Sequence, residues 1–265
     1  MAAALTSLAR RVSRSAFQAA AGAWRGHRQR GEGEPQSANG LDVRPHLRVP
    51  ARYREHASRI LARHAAQTVE DVAALHKKYA APVFGKVGVW SLVEKLAYCI
   101  DPSDERLFCT SQLVHVLQML EEMEADGVAS EEFVLAALVH DLGKVLLLIG
   151  EAPENVVGMN DPIGTYEPGI GLDNCVLQWS HDEFAYARLK DHVPEGVAWL
   201  VRHHSITRTS CDPYMNARDR AYAARYLDVF QRYDHGTKSP YFLPKRPIDD
   251  YRHIVEKAFP SPILF

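Results

Sequence analysis

Most of FVLAALVHDLGKVLLLIG, residues 133–150, reads as a buried helix, yet His140, Asp141 and Lys144 stand at its centre. An apolar interior ordinarily rejects such side chains. Their burial calls for a metal ion, a paired charge or a displaced helix end, and the fold has to be built around whichever of these supplies the compensation.

The remainder of the chain offers helices to surround that segment. From about Pro50 onward the pattern is helical nearly throughout, with Ile60, Leu61, Val69, Val72 and Leu75 forming an expected buried stripe within residues 51–80. Further helices are expected near 89–100, 110–125, 131–149, 172–190, 194–207, 217–234 and 247–258. Ser130 ahead of Glu131 and Glu132 is an N-cap with acids in the first turn, and Pro194 and Pro213 suit helix starts. Residues 150–171 are rich in Gly, Pro, Asn and Asp and form a long loop of the kind that often carries function. No internal repeat is visible, and no strand run is strong enough to organise a sheet. The expected class is all-α, a single helical domain over residues 41–265.

Ahead of that domain, Met1 to Arg30 combines Arg10, Arg11, Arg14, Arg25, Arg28 and Arg30 with alanines and serines, and no acid precedes Glu32. This is the composition of an organelle transit segment, and GEGEPQSANG, residues 31–40, reads as its linker. A formal net charge of -2 gives no overall reason to expect nucleic acid or an anionic membrane as a partner. No apolar run reaches the roughly 18 residues of a membrane span. The four cysteines are widely separated, form no CxxC pair and read as reduced thiols.

The 13 histidines are more informative. His115 in SQLVHVLQML, His181 in VLQWSHDEFAY and His204 in WLVRHHSIT sit in helical contexts comparable to that of His140, and Asp234 in VFQRYDHGTK joins Asp141 as a carboxylate. Four imidazoles and two carboxylates suit iron, manganese or another first-row metal pair, and are poor for calcium. Singly, each has a bland reading: a core His115 on a backbone carbonyl, His181 paired with Asp182, an exposed His203 and His204 pair, a helix-terminal Asp234. Together in one all-helical chain they favour a metal, because burying so many ionisable groups uncompensated costs several kcal/mol apiece. Gly143 allows another backbone or a substrate to approach closely, and Lys144 lies one turn beyond His140 on the same face.

The ordered series His115, His140 with Asp141, His181, His204 and Asp234 resembles the HD-domain metalloproteins. More specifically, HDLGKVL, YEPGIGLDNCVLQWSHDEF, RHHS and YDHGTK resemble the myo-inositol oxygenase family, with supporting likeness in AAQTVEDVAALHKKYA and DPSD, so the resemblance runs from about residue 60 to the C-terminal end. It implies an HD-domain-like helical fold with a di-iron site. His115, His140, Asp141 and Asp234 would hold one iron, and Asp141 would bridge to a second held by His181 and His204. It also implies a mixed-valent Fe(II)/Fe(III) pair, O2 as co-substrate and cleavage of inositol to glucuronate. Lys144 matches the family's substrate lysine, and Asp101, Ser103, Gly158, Ser205 and Lys238 fall where the family contacts the polyol or closes the pocket.

The chain departs from the family around the pocket rather than at the metals. After VVG the family usually presents an aspartate, whereas here Met159 is followed by Asn160 and Asp161. The loop 159–166 is short, RHHS is followed by ITRTS, and Arg44 and Arg52 are the candidates for the family's N-terminal substrate arginine. The expected function is therefore ring cleavage of myo-inositol or a related cyclic polyol. The partner is a small-molecule polyol, with no nucleic acid or membrane and a monomer as default. The family is cytoplasmic, while the leader points to a mitochondrion or plastid. The alternative is an HD-domain phosphohydrolase that activates water against a phosphate ester, with Lys144, Arg202 and Arg208 as its cationic cluster. A non-enzymatic relative is disfavoured because all six ligand positions are present.

Overall fold

Local signals set the helix starts. In the computed structural model, which describes residues 49–265, Thr68 and Asp71 form a capping box at the head of one helix, and Asn216 with Asp219 does so at another. Ser111, Ser130 and Ser180 each accept a backbone N–H at a further start. The resulting elements are α1 (Ala51–Ala65), α2 (Val69–Lys78), β1 (Lys86–Val87), α3 (Val89–Lys95), α4 (Gln112–Ala125) and α5 (Glu131–Val139). After a 3-10 helix over Leu142–Ile149 come α6 (His181–Leu189), α7 (Glu195–His203), α8 (Arg208–Cys211) and α9 (Ala217–Tyr222). A π-helical turn at Ala223–Leu227 leads into α10 (Asp228–Gly236), then α11 (Arg252–Ala258) and β2 (Ile263–Leu264).

The class is all-α, as expected. Its β structure is a two-residue antiparallel ladder, Lys86 opposite Leu264 and Val87 opposite Ile263, with an isolated bridge between Pro162 and Leu177. The leader and linker of residues 1–40 and Arg44 lie outside the described residues.

Helix α5 is the interior element: Val134, Leu135, Ala136, Ala137, Leu138 and Val139 are all buried, leaving it no solvent face after its first turn. It packs on α4, α7 and α11. Leu138, fully buried, is a position where truncation to Ala should cost about 2–5 kcal/mol.

The expected single helix over 131–149 ends at this core. His140 N–H makes the last α-type bond, to Ala136 O at 2.8 Å, and Asp141 then leaves helical geometry with φ -94° and ψ 6°. Lys144 N–H returns to Asp141 O at 2.9 Å, the tighter 3-10 spacing. The turn is held by contact with the start of α6, where a Cβ on Gly143 would run into the His181 carbonyl. Residues 172–190 differ in the same way: only His181–Leu189 is α-helical, because the preceding Gln178 and Trp179 spend their backbone groups on the 160s loop and on Gln67.

Two members of the expected stripe on residues 51–80 are not buried. Leu61 is 41% and Val69 44% exposed, whereas Ile60, Val72 and Leu75 are buried. Thr68 begins a new helix at that point, so the helical phase restarts between Leu61 and Val69. Pro194 caps α7, but Pro213 sits in a turn beyond α8.

Candidate metal centre

Each of the six expected donors lies at or near a helix end or in a helix packed on α5, and each is buried. His115 lies near the N-terminus of α4, His140 caps the C-terminus of α5, and Asp141 opens the 3-10 turn. His181 begins α6, His204 caps α7 and Asp234 lies in α10. The break after α5 solves a geometric difficulty, since adjacent residues on an ideal helix diverge by about 100°. Leaving the helix at Asp141 brings its Oδ2 to 3.3 Å from His140 Nε2.

The hydrogen bonds of the imidazoles fix which nitrogen faces inward. His140 Nδ1 meets Ala137 O at 2.9 Å, His181 Nδ1 meets Val156 O at 2.7 Å and His204 Nδ1 meets Val201 O at 3.0 Å. A carbonyl only accepts, so each Nδ1 donates to it and each ring turns its Nε2 to the centre. There His181 Nε2 and His204 Nε2 are 3.3 Å apart, and Asp141 Oδ1 is 3.1 Å from the first and 3.8 Å from the second. His115 Nε2 lies 2.9 Å from Asp234 Oδ1, and His140 Nε2, though buried, has no hydrogen-bond partner.

Acceptors crowded in this way repel unless a cation or protons stand between them. Three overlapping groups have donor atoms within 4.8 Å of one another: His115, His140 and Asp141; His140, His204 and Asp234; and Asp141, His181 and His204. The donor set fits a first-row metal pair, with Asp141 common to two groups and His140 and His204 also shared. Two of the bland readings fall: His115 is not satisfied by a carbonyl, and neither His203 nor His204 is exposed.

Above these donors opens a pocket of about 320 Å³ lined by Asp141, His181, His204 and Asp234 together with Asp101, Ser103, Lys144, Gly158, Ser205 and Lys238. Asp101, Ser103, Lys144, Gly158, Ser205 and Lys238 therefore share one cavity. Lys144 is 4% exposed rather than a surface lysine, with Nζ 3.1 Å from Asp101 Oδ2, 3.0 Å from Asp141 Oδ1 and 3.1 Å from Gln112 Oε1. Burial opposes its charge, but Asp141 and Asp101 outweigh that and hold the ammonium above its usual range. Lys238 Nζ bridges Asp104 Oδ2 at 3.2 Å and Asp234 Oδ1 at 3.3 Å. Asp101 Oδ1 accepts from Ser103 N–H at 2.8 Å and from its hydroxyl at 2.7 Å.

The cationic cluster required by a phosphohydrolase does not form as expected. Arg202 Nε is 2.7 Å from Glu183 and its Nη1 is 2.6 Å from Asp173, while Arg208 pairs with Asp212 and Asp228. Neither arginine lines the pocket. Arg52, exposed at the start of α1, does not line it either.

Two residues at the site escaped the sequence reading. Asp182, 0% exposed, places Oδ1 2.9 Å from His181 Nε2 and 3.4 Å from His204 Nε2, and accepts the Ser205 hydroxyl at 3.3 Å. Its signal was present, since SHDEF repeats the His-Asp doublet of HDLGK, but Asp182 had counted only as a partner for His181. The second, His64, turns Nε2 to Met159 O at 2.6 Å. Its ring fills the space beside Gly158, whose φ of 118° and missing Cβ both make room for it. No periodicity marks a contact between residues so far apart.

A family model described as myo-inositol oxygenase matches residues 53–164 and 155–265. A probable inositol oxygenase of Oryza sativa subsp. japonica is 29% identical over 238 residues, covering 75% of this chain and 77% of its own. Inositol oxygenase 1 of Arabidopsis thaliana is likewise 29% identical, with 75% and 76% covered. The inositol oxygenase of Homo sapiens is 27% identical over 243 residues, with 75% and 82% covered.

Proposed function

The chain belongs to the myo-inositol oxygenase family, and from that premise we propose that it opens the ring of an inositol-class cyclic polyol with O2. For inositol itself, one O2 and one polyol give one glucuronate and one water: the carbon skeleton loses four electrons, and the oxygen atoms divide between product and water. The observation that carries this reading is the convergence of imidazole nitrogens and carboxylates at the floor of a pocket with hydroxyl-binding groups above them.

We assign His115, His140, Asp141 and Asp234 to one iron and His181, His204 and the shared Asp141 to the other. Bound there, an Fe(II)/Fe(III) pair would supply Lewis acidity toward adjacent hydroxyl oxygens and a route for electrons from the polyol to O2. The protein supplies the rest. Lys144 sets a fixed positive charge 3.0 Å from Asp141 Oδ1, where it favours the ionised form of a substrate hydroxyl placed beside it. Asp101, Ser103, Ser205 and Lys238 orient the remaining hydroxyls, and Asp101 is held ready by its bonds to Ser103.

A phosphohydrolase is not favoured. Lys144 and Lys238 are each engaged by two carboxylates, which leaves little free positive charge for a phosphate ester. Among the described residues no helix is long and apolar enough to cross a membrane. The composition of residues 1–40 supports delivery to a mitochondrion or plastid, which a fluorescent fusion of that segment tests by its distribution in cells.

The test is anaerobic loading with iron, addition of inositol under O2, and parallel assays of glucuronate and phosphate release. Glucuronate with no phosphatase activity is expected. Hydrolysis of phosphate esters without glucuronate would overturn the reading.

A further inference from the structure

One part of the pocket lining lacks hydrogen-bonding side chains. Leu61 from α1 and Met159 from the loop after Val157 both line the cavity, 41% and 37% exposed, whereas its other side chains are carboxylates, lysines, serines, histidines and Arg106. On this basis we propose that the native substrate is a cyclic polyol with one hydroxyl capped as a methyl ether, and that the methyl group seats on Leu61 and Met159. The inference rests on the oxygenase reading above and narrows its substrate.

Three features make this edge apolar in a fixed way. The Met159 carbonyl is taken by His64 Nε2 at 2.6 Å, so position 159 presents a thioether and no free backbone acceptor. The backbone at Gly158 packs directly against the His64 ring, where an added Cβ would collide with it. The polar residues that follow are committed elsewhere. Asn160 is fully buried, with Nδ2 donating to Arg202 O at 2.6 Å and Glu183 Oε1 at 3.3 Å, and Asp161 Oδ1 accepts from Thr207 N–H at 2.6 Å. Neither lines the cavity.

A free hydroxyl set against this edge gives up its water and gains no partner, which is a net penalty. A methyl ether in the same place has no donor to satisfy and covers apolar surface on both sides. The polar wall still requires hydroxyls on the rest of the ring, so an apolar molecule is excluded.

The test is calorimetric titration of the full-length, iron-loaded chain without O2, using myo-inositol and each of its mono-O-methyl ethers. At least one ether should bind about tenfold or more tightly than inositol, a difference of roughly 1.4 kcal/mol. Met159→Asp should reverse that order with metal content unchanged, and Leu61→Gln should move it in the same direction should the first variant fold poorly. An inositol preferred over every ether, or a preference that neither variant moves, would overturn the inference while leaving the oxygenase reading intact. Binding of no cyclic polyol by a chain that holds its iron would overturn both.

Discussion

The two halves of the candidate metal centre use similar donors in opposite electrostatic settings. Around His115, burial and the nearby Lys238 push the imidazole pKa down to about 4, so that half offers a neutral ring. His181 is equally buried, but Asp182 and Asp141 outweigh the burial and push it up to about 9. Without a cation it is therefore protonated at neutral pH, and a metal entering beside His204 has to displace that proton. Residue type alone does not set the behaviour of a ligand. Here the neighbouring lysine or carboxylates set it.

The largest expected effect joins the two halves. Asp141 contacts His140, His181 and Lys144, so Asp141→Ala should strip metal from both sides and leave Lys144 short of a buried partner. Metal analysis should show a greater loss than His115→Ala or His181→Ala produces. A variant that keeps two irons per chain would break the bridging assignment.

A smaller and one-sided effect is expected at Asp182. Asp182 places a negative charge on the same side of His181 and His204 as the ion would occupy, so Asp182→Asn should weaken that ion by about tenfold or more and spare the other. It should also reduce the protons released on metal loading, measured with an indicator dye in weak buffer. Equal weakening of both ions would show that the halves are not electrostatically distinct.

The smallest expected effect is on stability, in chain stripped of metal. Stabilisation from His181, whose folded pKa is raised, is fully present below about pH 6.5 and is lost as pH rises through about 9. His115, depressed to about 4 by burial and Lys238, acts in the other direction, its contribution present above about pH 6.5 and lost as pH falls toward 4. Melting temperature should therefore peak near pH 6.5, and metal should abolish the alkaline decline because it would take the place of the proton on His181. A metal-free chain with no alkaline decline would remove the charge contrast.

Much of this site was legible because the residues that carry it are chemically unusual in their surroundings. Histidines and carboxylates within apolar helices stand out, and all six expected donors do converge. Periodicity failed where the chain leaves regular geometry: at Asp141, where the helix over 131–149 becomes a 3-10 turn, and between Leu61 and Val69, where a new helix restarts the phase. Arg202 and Arg208 failed as a cluster because each found carboxylates on another side of its helix.

The sequence by itself determined that α5 would be an interior helix and that His140 and Asp141 would need compensation there, because apolar pattern and ionisable type are properties of single residues and their spacing. Tertiary structure decided which donors face one another, that Asp182 joins His181 and His204, and that Leu61 and Met159 line the same pocket. Those outcomes depend on contacts between segments far apart in the chain, such as Gly143 against His181 and His64 against Met159. Spacing within a segment shows which side turns inward, and only the packed fold shows what that side meets.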